Sequence, residues 1–78
     1  MPRQAQQAAK HPVLKQLGAN VRDLRQKREL SQEELADAAH IERSYVSGIE
    51  RGVRNCTVMK LVKLARALRV PVRDLFND

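Results

Sequence analysis

Four polar residues in one short segment have side chains suited to contacting a nucleic acid. These residues are Arg43, Ser44, Tyr45 and Ser47. In a helix they lie on the side turned away from the apolar Val46 and Ile49. A guanidinium can bond to O6 and N7 of guanine together, whereas a serine hydroxyl bonds to most bases and discriminates weakly between them. We therefore expect Arg43 to read a base, with Ser44 and Ser47 as further candidates. The alternative for Arg43 is a phosphate contact, which positions a protein without reading sequence.

The segment that must position these side chains, residues 30–52, has the pattern of two short helices joined by a tight turn. Ser31 and Glu34 have the spacing of a capping box, in which each side chain accepts a backbone N–H at the start of a helix. Leu35 and Ala36 supply the inward face of that helix, and the small Ala36 allows a second helix to approach closely. The first of the two helices therefore begins just after Ser31.

The second helix of the pair is predicted from about residue 42 to residue 51, with its apolar face inward. Gly52 is expected to end it in the left-handed conformation that glycine adopts readily. Two helices with this spacing form a helix-turn-helix, whose second helix presents its outward side chains to the major groove of DNA.

Three further helices are predicted around this pair, so the chain is expected to be an all-α, compact five-helix domain over residues 12–78. Pro12 suits the start of the first helix. That helix runs to about residue 28, and its inward stripe comprises Leu14, Leu17, Gly18, Val21 and Leu24. Thr57 can cap the fourth helix, whose stripe comprises Val58, Leu61, Leu64, Ala65 and Leu68. Pro71 opens the fifth helix, with Leu75 as its inward anchor.

Residues 1–11 lack an apolar stripe and are expected to form a flexible N-terminal tail. Arg3 and Lys10 in this tail have two interpretations. They form either an arm that touches DNA phosphate or the minor groove, or part of a solvated tail.

The charge of the chain favours a polyanionic partner. Fifteen lysines and arginines oppose nine acidic residues, which gives a net charge of +6. Charge alone does not separate a nucleic acid from an acidic membrane surface. The chain has one tyrosine, one phenylalanine and no tryptophan, so it has few of the aromatic platforms on which single-stranded nucleic acids stack. Duplex DNA is therefore the expected partner.

Several other classes of protein are disfavoured by the same composition. A single cysteine forbids an internal disulfide and fits the reducing cytoplasm. No apolar run approaches the ~20 residues of a membrane span, and no signal-peptide pattern is present. His11, His40 and Cys56 lack the spacing of metal ligands. We expect no metal, no cofactor, no small-molecule effector and no enzymatic site.

The motifs of the chain also occur together in one known family. They are Leu17-Gly18, Val21 to Arg25, LSQEELA, IERG, LVKLARALRV and Asp74-Leu75-Phe76. In this order and spacing the chain resembles the Cro and phage-repressor-like helix-turn-helix regulators, the XRE family, from about Leu17 to Phe76. It departs from the family at His40, where glycine is usual in the turn, and at Cys56, where proline often precedes the fourth helix. Histidine tolerates the left-handed conformation better than most residues do.

The resemblance implies a lambda-repressor-like fold and a set of site residues. It implies DNA-phosphate contacts by Gln32, Arg54 and Asn55. From their positions Ser31, Tyr45 and Lys60 are expected to join them, and Tyr45 has the alternative of packing against the sugar edge. The N–H groups and dipole at the start of the second helix favour a phosphate beside Gln32. Arg25 and Glu50 occupy family positions that usually form an ion pair, although Glu50 has the alternative role of orienting a DNA-contacting arginine. Gly48 stands where relatives often carry a reading side chain. Either the helix lies close to DNA there, or the position was never selected for readout.

The function expected from these observations is sequence-specific binding of double-stranded DNA for transcriptional control. One small module buries little surface, so a homodimer on a palindromic or pseudo-palindromic operator is expected, with half-sites ~34 Å apart. The proposed dimer surface is an apolar C-terminal cluster that includes Val72, Leu75 and Phe76. The alternative is that this cluster only closes the core of the monomer.

Two other classes stay open, and a third is disfavoured. The first is the antitoxin of a toxin–antitoxin pair, which would bind a protein as well as its own operator. The second is a stand-alone regulator of a restriction–modification operon, which only a neighbouring gene would reveal. A purely protein-binding helical module is disfavoured by the charge and by Arg43.

Overall fold

The computed structural model of the protein describes residues 11–77, which form four α-helices and a short 3-10 helix. The elements are α1 (Pro12–Lys27), α2 (Gln32–Ala39), α3 (Arg43–Glu50), α4 (Val58–Leu68) and the 3-10 helix (Val72–Phe76). No strand occurs in this part of the chain, so the all-α class is confirmed. The predicted tail, with Arg3 and Lys10, lies outside the described residues except for His11.

The short fifth helix predicted after Pro71 is present as a 3-10 helix, so the domain has four α-helices and not five. The segment is a five-residue 3-10 helix, in which the N–H of Asp74 donates to the carbonyl of Pro71 at 2.9 Å. A segment this short gains few of the longer α-helical hydrogen bonds for the backbone entropy that it loses. A 3-10 turn joins residues three apart instead of four, so it can satisfy the backbone groups of a shorter segment.

The helix starts follow from residues close in sequence, as predicted. Ser31 accepts from the N–H of Glu34 at 2.9 Å, and the Glu34 carboxylate accepts from the N–H of Ser31 at 2.8 Å, which confirms the capping box. Thr57 caps α4 in the expected way. His11, which the sequence analysis assigned to the tail, caps α1 through its ring nitrogen. By contrast, Glu42 makes no side-chain hydrogen bond at the start of α3.

Each of the four α-helices ends in the same way. The left-handed residues after the helices are Glu29, His40, Gly52 and Arg69, with φ angles of 56°, 58°, 74° and 59°. In every case the following N–H bonds to the carbonyl five residues back, as Ile41 does to Ala36 at 3.0 Å. The predicted conformations of His40 and Gly52 are therefore confirmed. The turn at His40 redirects the chain so that α3 begins three residues later.

The core lies where α1 packs against α3 and the 3-10 helix, and where α2 packs against α3 and α4. Its buried apolar residues are Leu17, Val21, Leu35, Ala36, Ala39, Val46, Ile49, Leu64, Ala65, Leu68 and Leu75. Both predicted inward residues of α3 belong to it. Val58 was wrongly assigned to the inward stripe of α4, because it is 73% exposed. It is the first residue of that helix, one turn before Leu61, and lies beyond the buried cluster.

The C-terminal segment is held against α1 by hydrogen bonds as well as by packing. The side chain of Asn20 donates to the carbonyls of Leu75 and Asn77 at 2.9 and 2.7 Å. Leu75 is fully buried, so its assignment to a dimer surface was wrong: it offers no surface to a partner. Val72 and Phe76 are 36% and 40% exposed and stay candidates for that surface.

The last turn of α3 reaches α1 because Gly18 has no side chain. A Cβ atom at this position would overlap the carbonyl oxygen of Ile49 and would lie 2.8 Å from that of Glu50. Both atoms belong to the backbone and have little room to move. Gly18 therefore sets how closely the second helix of the helix-turn-helix approaches the first helix of the domain.

Candidate nucleic-acid interface

The candidate base-reading residues lie at the outward side of the start of α3. Arg43 and Ser44 are exposed, and Ser47, one turn further on, is half-buried. Val46 and Ile49 on the opposite side are buried in the core. The helix thus separates an apolar face that packs from a polar face that solvent or a ligand can reach, and α3 has no side-chain cap over its first N–H groups.

The other end of α3 is anchored by the carboxylate of Glu50, and the predicted ion pair is present. Arg25 donates to it through Nε at 2.6 Å and through Nη2 at 3.0 Å. The side chains of Arg25 and Glu50 are only 12% and 4% exposed. The hydrogen bonds to Glu50 raise the pKa of Arg25 above its usual value. A third bond, from Arg25 Nη1 to the carbonyl of Leu30 at 2.8 Å, fixes the loop before α2.

Gln32 joins the same network, which the sequence analysis did not predict. Its side-chain N–H donates to Glu50 at 3.1 Å, so Glu50 links α1, α2 and α3. One of the two amide N–H groups of Gln32 is used in this way, and the second makes no hydrogen bond within residues 11–77. Ser31 accepts a bond in its cap, so the hydroxyl keeps its own O–H as a donor. The predicted phosphate contacts of Gln32 and Ser31 are compatible with these bonds.

A second cluster, centred on Tyr45, connects α3 to the loop that precedes α4. The Tyr45 hydroxyl donates to the carbonyl of Asn55 at 3.0 Å. The guanidinium carbon of Arg54 and the Nζ of Lys60 each lie 4.8 Å from the centre of the Tyr45 ring. Burial raises the pKa of Tyr45, and it also raises that of the neighbouring Cys56 thiol. The structure therefore brings four predicted phosphate-binding residues, Tyr45, Arg54, Asn55 and Lys60, into one cluster.

Gly48 lies beside this cluster. The sequence suggested either close approach of the helix to DNA or no role in readout, and neither explanation involved the nearby Arg54. A Cβ atom at Gly48 would lie 3.2 Å from both Cβ and Nε of Arg54. The space that a side chain would occupy is thus taken by an arginine from the following loop. No signal in the sequence links the two positions, because their contact depends on the path of the loop.

Residues 11–77 contain neither a metal-binding group nor a membrane-spanning helix. This part of the chain contains no group of three or more histidine, cysteine or acidic residues placed to hold a metal ion. Over the same residues, no helix has the length and apolar character needed to cross a membrane.

An exposed helix start, joined by the turn at residues 40–42 to a capped helix before it, defines a helix-turn-helix protein. The helix-turn-helix family matches residues 21–75 of the chain. The protein belongs to this family, and it is a DNA-binding regulator of the XRE type, as its motifs predicted.

Particular relatives are similar over most of the chain. Control protein C.SmaI of Serratia marcescens is 42% identical over 61 residues, which are 78% of this chain and 73% of the relative. Control protein C.BamHI of Bacillus amyloliquefaciens is 41% identical over 61 residues, or 77% and 75% of the two chains. The crystal structure of the restriction-modification controller protein C.AhdI from Aeromonas hydrophila matches with a TM-score of 0.82 and 44% identity. That match covers 85% of this chain and 100% of C.AhdI.

Proposed function

We propose that this protein is the controller of a restriction–modification system and binds double-stranded DNA as a homodimer on a pseudo-palindromic operator. The observation that carries the proposal is the exposed start of α3, which presents Arg43 and Ser44 on a helix whose other end is anchored through Glu50. The similar proteins add the biological role, because they are control proteins and a restriction-modification controller. They give no support to the antitoxin alternative.

The proposed contacts divide into two groups. Arg43 reads a base pair in the major groove, with Ser44 and Ser47 beside it, because a guanidinium suits the two acceptors of guanine. The phosphate-binding group comprises Ser31, Gln32, Tyr45, Arg54, Asn55 and Lys60. These side chains position the protein on the duplex, and most of the salt dependence of binding comes from their positive members.

The proposed dimer follows from the small size of the domain and from its exposed apolar residues. A single module of this kind buries too little DNA surface for high specificity, whereas two copies on a symmetric operator double the readout. Val72 and Phe76 are the members of the predicted dimer surface that stay accessible in the monomer. We place the two-fold interface at these side chains.

Selection of bound sites from random duplex DNA tests the DNA-binding part of the proposal. We expect a two-fold symmetric sequence whose half-sites lie about 34 Å, or one helical turn, apart. We also expect the best match in the source genome to lie beside genes for a restriction endonuclease and its methyltransferase. A site next to unrelated genes would make the protein a different regulator of the same fold. No enriched sequence would remove specific binding.

The dimer is tested by sedimentation of Phe76→Glu and Val72→Glu, with Met59→Glu as a matched control. Met59 is an exposed apolar residue, at 63%, outside the proposed surface. We expect the wild-type chain and the control to sediment as dimers and the two variants as folded monomers. A dimer that survives both substitutions, or one lost in the control, would place the interface elsewhere.

A further inference from the structure

Gly48 lies in the interior of α3, where glycine is normally unfavourable. Glycine weakens a helix relative to alanine because it loses more backbone entropy on folding. In this structure Gly48 is buried, and what covers it is the side chain of Arg54, with Cδ at 3.6 Å and Nε at 3.2 Å from the position of a Cβ atom. The absence of a side chain at residue 48 therefore lets Arg54 lie against α3 without crowding.

Tyr45 lies three residues before Gly48 and so on the same face of α3. Its ring is close to the guanidinium of Arg54, an arrangement favourable for a planar cation on an aromatic face. The Tyr45 hydroxyl also holds the carbonyl of Asn55, the residue that follows Arg54 in the chain. Arg54 is thus fixed by its side chain and by the backbone beside it.

The two cations beside this ring form no ion pair with a carboxylate of the described residues. Lys60 lies at the same distance from the Tyr45 ring as Arg54. Among residues 11–77 the ion pairs are Arg25–Glu50 and Lys27–Asp23, and neither cation of the Tyr45 cluster takes part in one. Two cations beside one ring repel each other, and a phosphate that both can reach would supply the opposite charge.

We propose that Gly48 and Tyr45 form a seat on α3 that holds Arg54, beside Lys60, in position for a DNA phosphate. Gly48 then determines DNA affinity without contacting DNA itself. The seat fixes a long side chain before the phosphate arrives, so less conformational freedom is lost on binding. This inference rests on the proposed function, since a phosphate of the operator is the group that Arg54 and Lys60 would share.

Gly48→Ala tests the seat by adding one methyl group. The methyl would lie 3.2 Å from Cβ and Nε of Arg54, so this residue must move by a few tenths of an ångström. The higher helix propensity of alanine offsets that movement, so we expect the fold to be kept and the melting temperature to change little. Duplex affinity should nevertheless fall several-fold, with the log–log salt slope smaller by about 0.9 per subunit, as for the loss of one phosphate contact. Arg54→Ala should give the same loss, and the double variant should bind no more weakly than Arg54→Ala alone.

A measurement without DNA separates the seat from the proposed function. The ring beside Arg54 belongs to Tyr45, which is the one tyrosine of a chain that has no tryptophan. We expect the Cδ protons of Arg54 to be shifted upfield in the NMR spectrum of the wild type, and this shift to be smaller in Gly48→Ala. An unshifted wild-type signal would overturn the seat. If the shift is present but no duplex binds, the seat stands, while the phosphate role fails with the proposed function.

Two results with DNA would overturn the role of Gly48. The first is wild-type affinity and salt slope in Gly48→Ala. The second is an equal loss of affinity when Gly48→Ala is introduced into the Arg54→Ala background. That second result would show that the helix backbone itself approaches DNA at residue 48.

Discussion

The first turn of α3, around Arg43, and its last turn, around Glu50, belong to one eight-residue helix but lie in opposite environments. Arg43 is exposed, and the first N–H groups of the helix have no side-chain cap. The side chain of Glu50 is 4% exposed and accepts three hydrogen bonds from Arg25 and Gln32. The α1 backbone meets this end closely at Gly18.

This difference shows how so small a domain holds a binding surface in place. The anchored end fixes the axis and the rotation of the helix, and the free end presents side chains whose bonding groups are left for a ligand. Substitutions at the anchored end are therefore expected to change stability first. Substitutions at the free end are expected to change binding and to leave the fold intact. Four predictions test this division, beginning with the largest effect.

Glu50→Ala should give the largest loss of stability, because it leaves the guanidinium of Arg25, whose side chain is only 12% exposed, without its partner. Breaking a buried ion pair in this way typically costs about 3–5 kcal/mol. A small domain has on the order of 5 kcal/mol of total stability, so the melting temperature should fall steeply. Urea unfolding followed by circular dichroism measures the change. DNA affinity should fall only to the extent that the protein unfolds.

The matched control is the double variant with Arg25→Ala. Removing the orphaned charge should recover part of the lost stability, and the double-mutant cycle should give a coupling energy clearly different from zero. Coupling within error of zero would mean that the pair does not anchor the helix. Glu50 would then need a different role, such as orienting a DNA-contacting arginine.

Gly18→Ala should destabilise the same end by steric overlap instead of charge. The added methyl meets the backbone carbonyls of Ile49 and Glu50, so α1 and α3 must move apart. Overpacking of this kind typically costs about 1–3 kcal/mol. Gly48→Ala is the matched control, since its methyl would lie 3.2 Å from its nearest neighbours in Arg54 and meets no backbone carbonyl within 3.0 Å, so the melting temperature should change little. If the two variants unfold at the same urea concentration, close helix packing is not what anchors this end.

Arg43→Ala should show the opposite behaviour at the free end. Surface substitutions of this kind usually change the free energy of unfolding by less than about 0.5 kcal/mol, whereas loss of a base contact costs about 1–3 kcal/mol per half-site. Arg66→Ala, on the exposed face of α4, is the control for charge and should leave both quantities close to wild type. Fluorescence anisotropy with a selected duplex measures the binding. Marked destabilisation by Arg43→Ala would mean that the free end also supports the fold.

The smallest effect is expected from alkaline pH, which should lower the free energy of unfolding through Tyr45 and the neighbouring Cys56, beside the free end of α3. Burial raises the pKa of Cys56 and of Tyr45 above their ordinary values, so the folded protein resists losing these protons more than the unfolded chain does. Stability from these groups is complete below their ordinary pKa values and is lost as the pH rises through the folded values. Urea unfolding should therefore show a modest decline above about pH 8.5. Cys56→Ala should remove the thiol part, and a decline unchanged in that variant would exclude the thiol.

The features that the sequence predicted well depend on residues close together in the chain. Ser31 and Thr57 were identified as caps because a cap bonds to an N–H only three residues away. The inward positions of Val46 and Ile49 follow from helical periodicity alone. The Arg25–Glu50 pair joins residues 25 positions apart, and it was predicted from the resemblance to a family, not from spacing.

The features that could not be predicted from the sequence depend on contacts between segments far apart in the chain. The bond from Gln32 to Glu50 and the seat of Arg54 on Gly48 exist only after α2, α3 and the following loop have packed. An apolar pattern at the C-terminus indicates burial but does not say what covers each residue. For that reason Leu75, although predicted as an inward anchor, was also included in the proposed dimer surface, and the structure shows that the monomer itself buries it.

The most direct test of the division within α3 compares the DNA sites selected from a random library by the wild type and by Arg43→Ala. We predict a G·C base pair at one position of each half-site for the wild type, since arginine pairs best with guanine in the major groove. The variant should lose its preference at that position and keep the rest of the sequence. The same preference at every position in both proteins would contradict base readout by the free end of the helix.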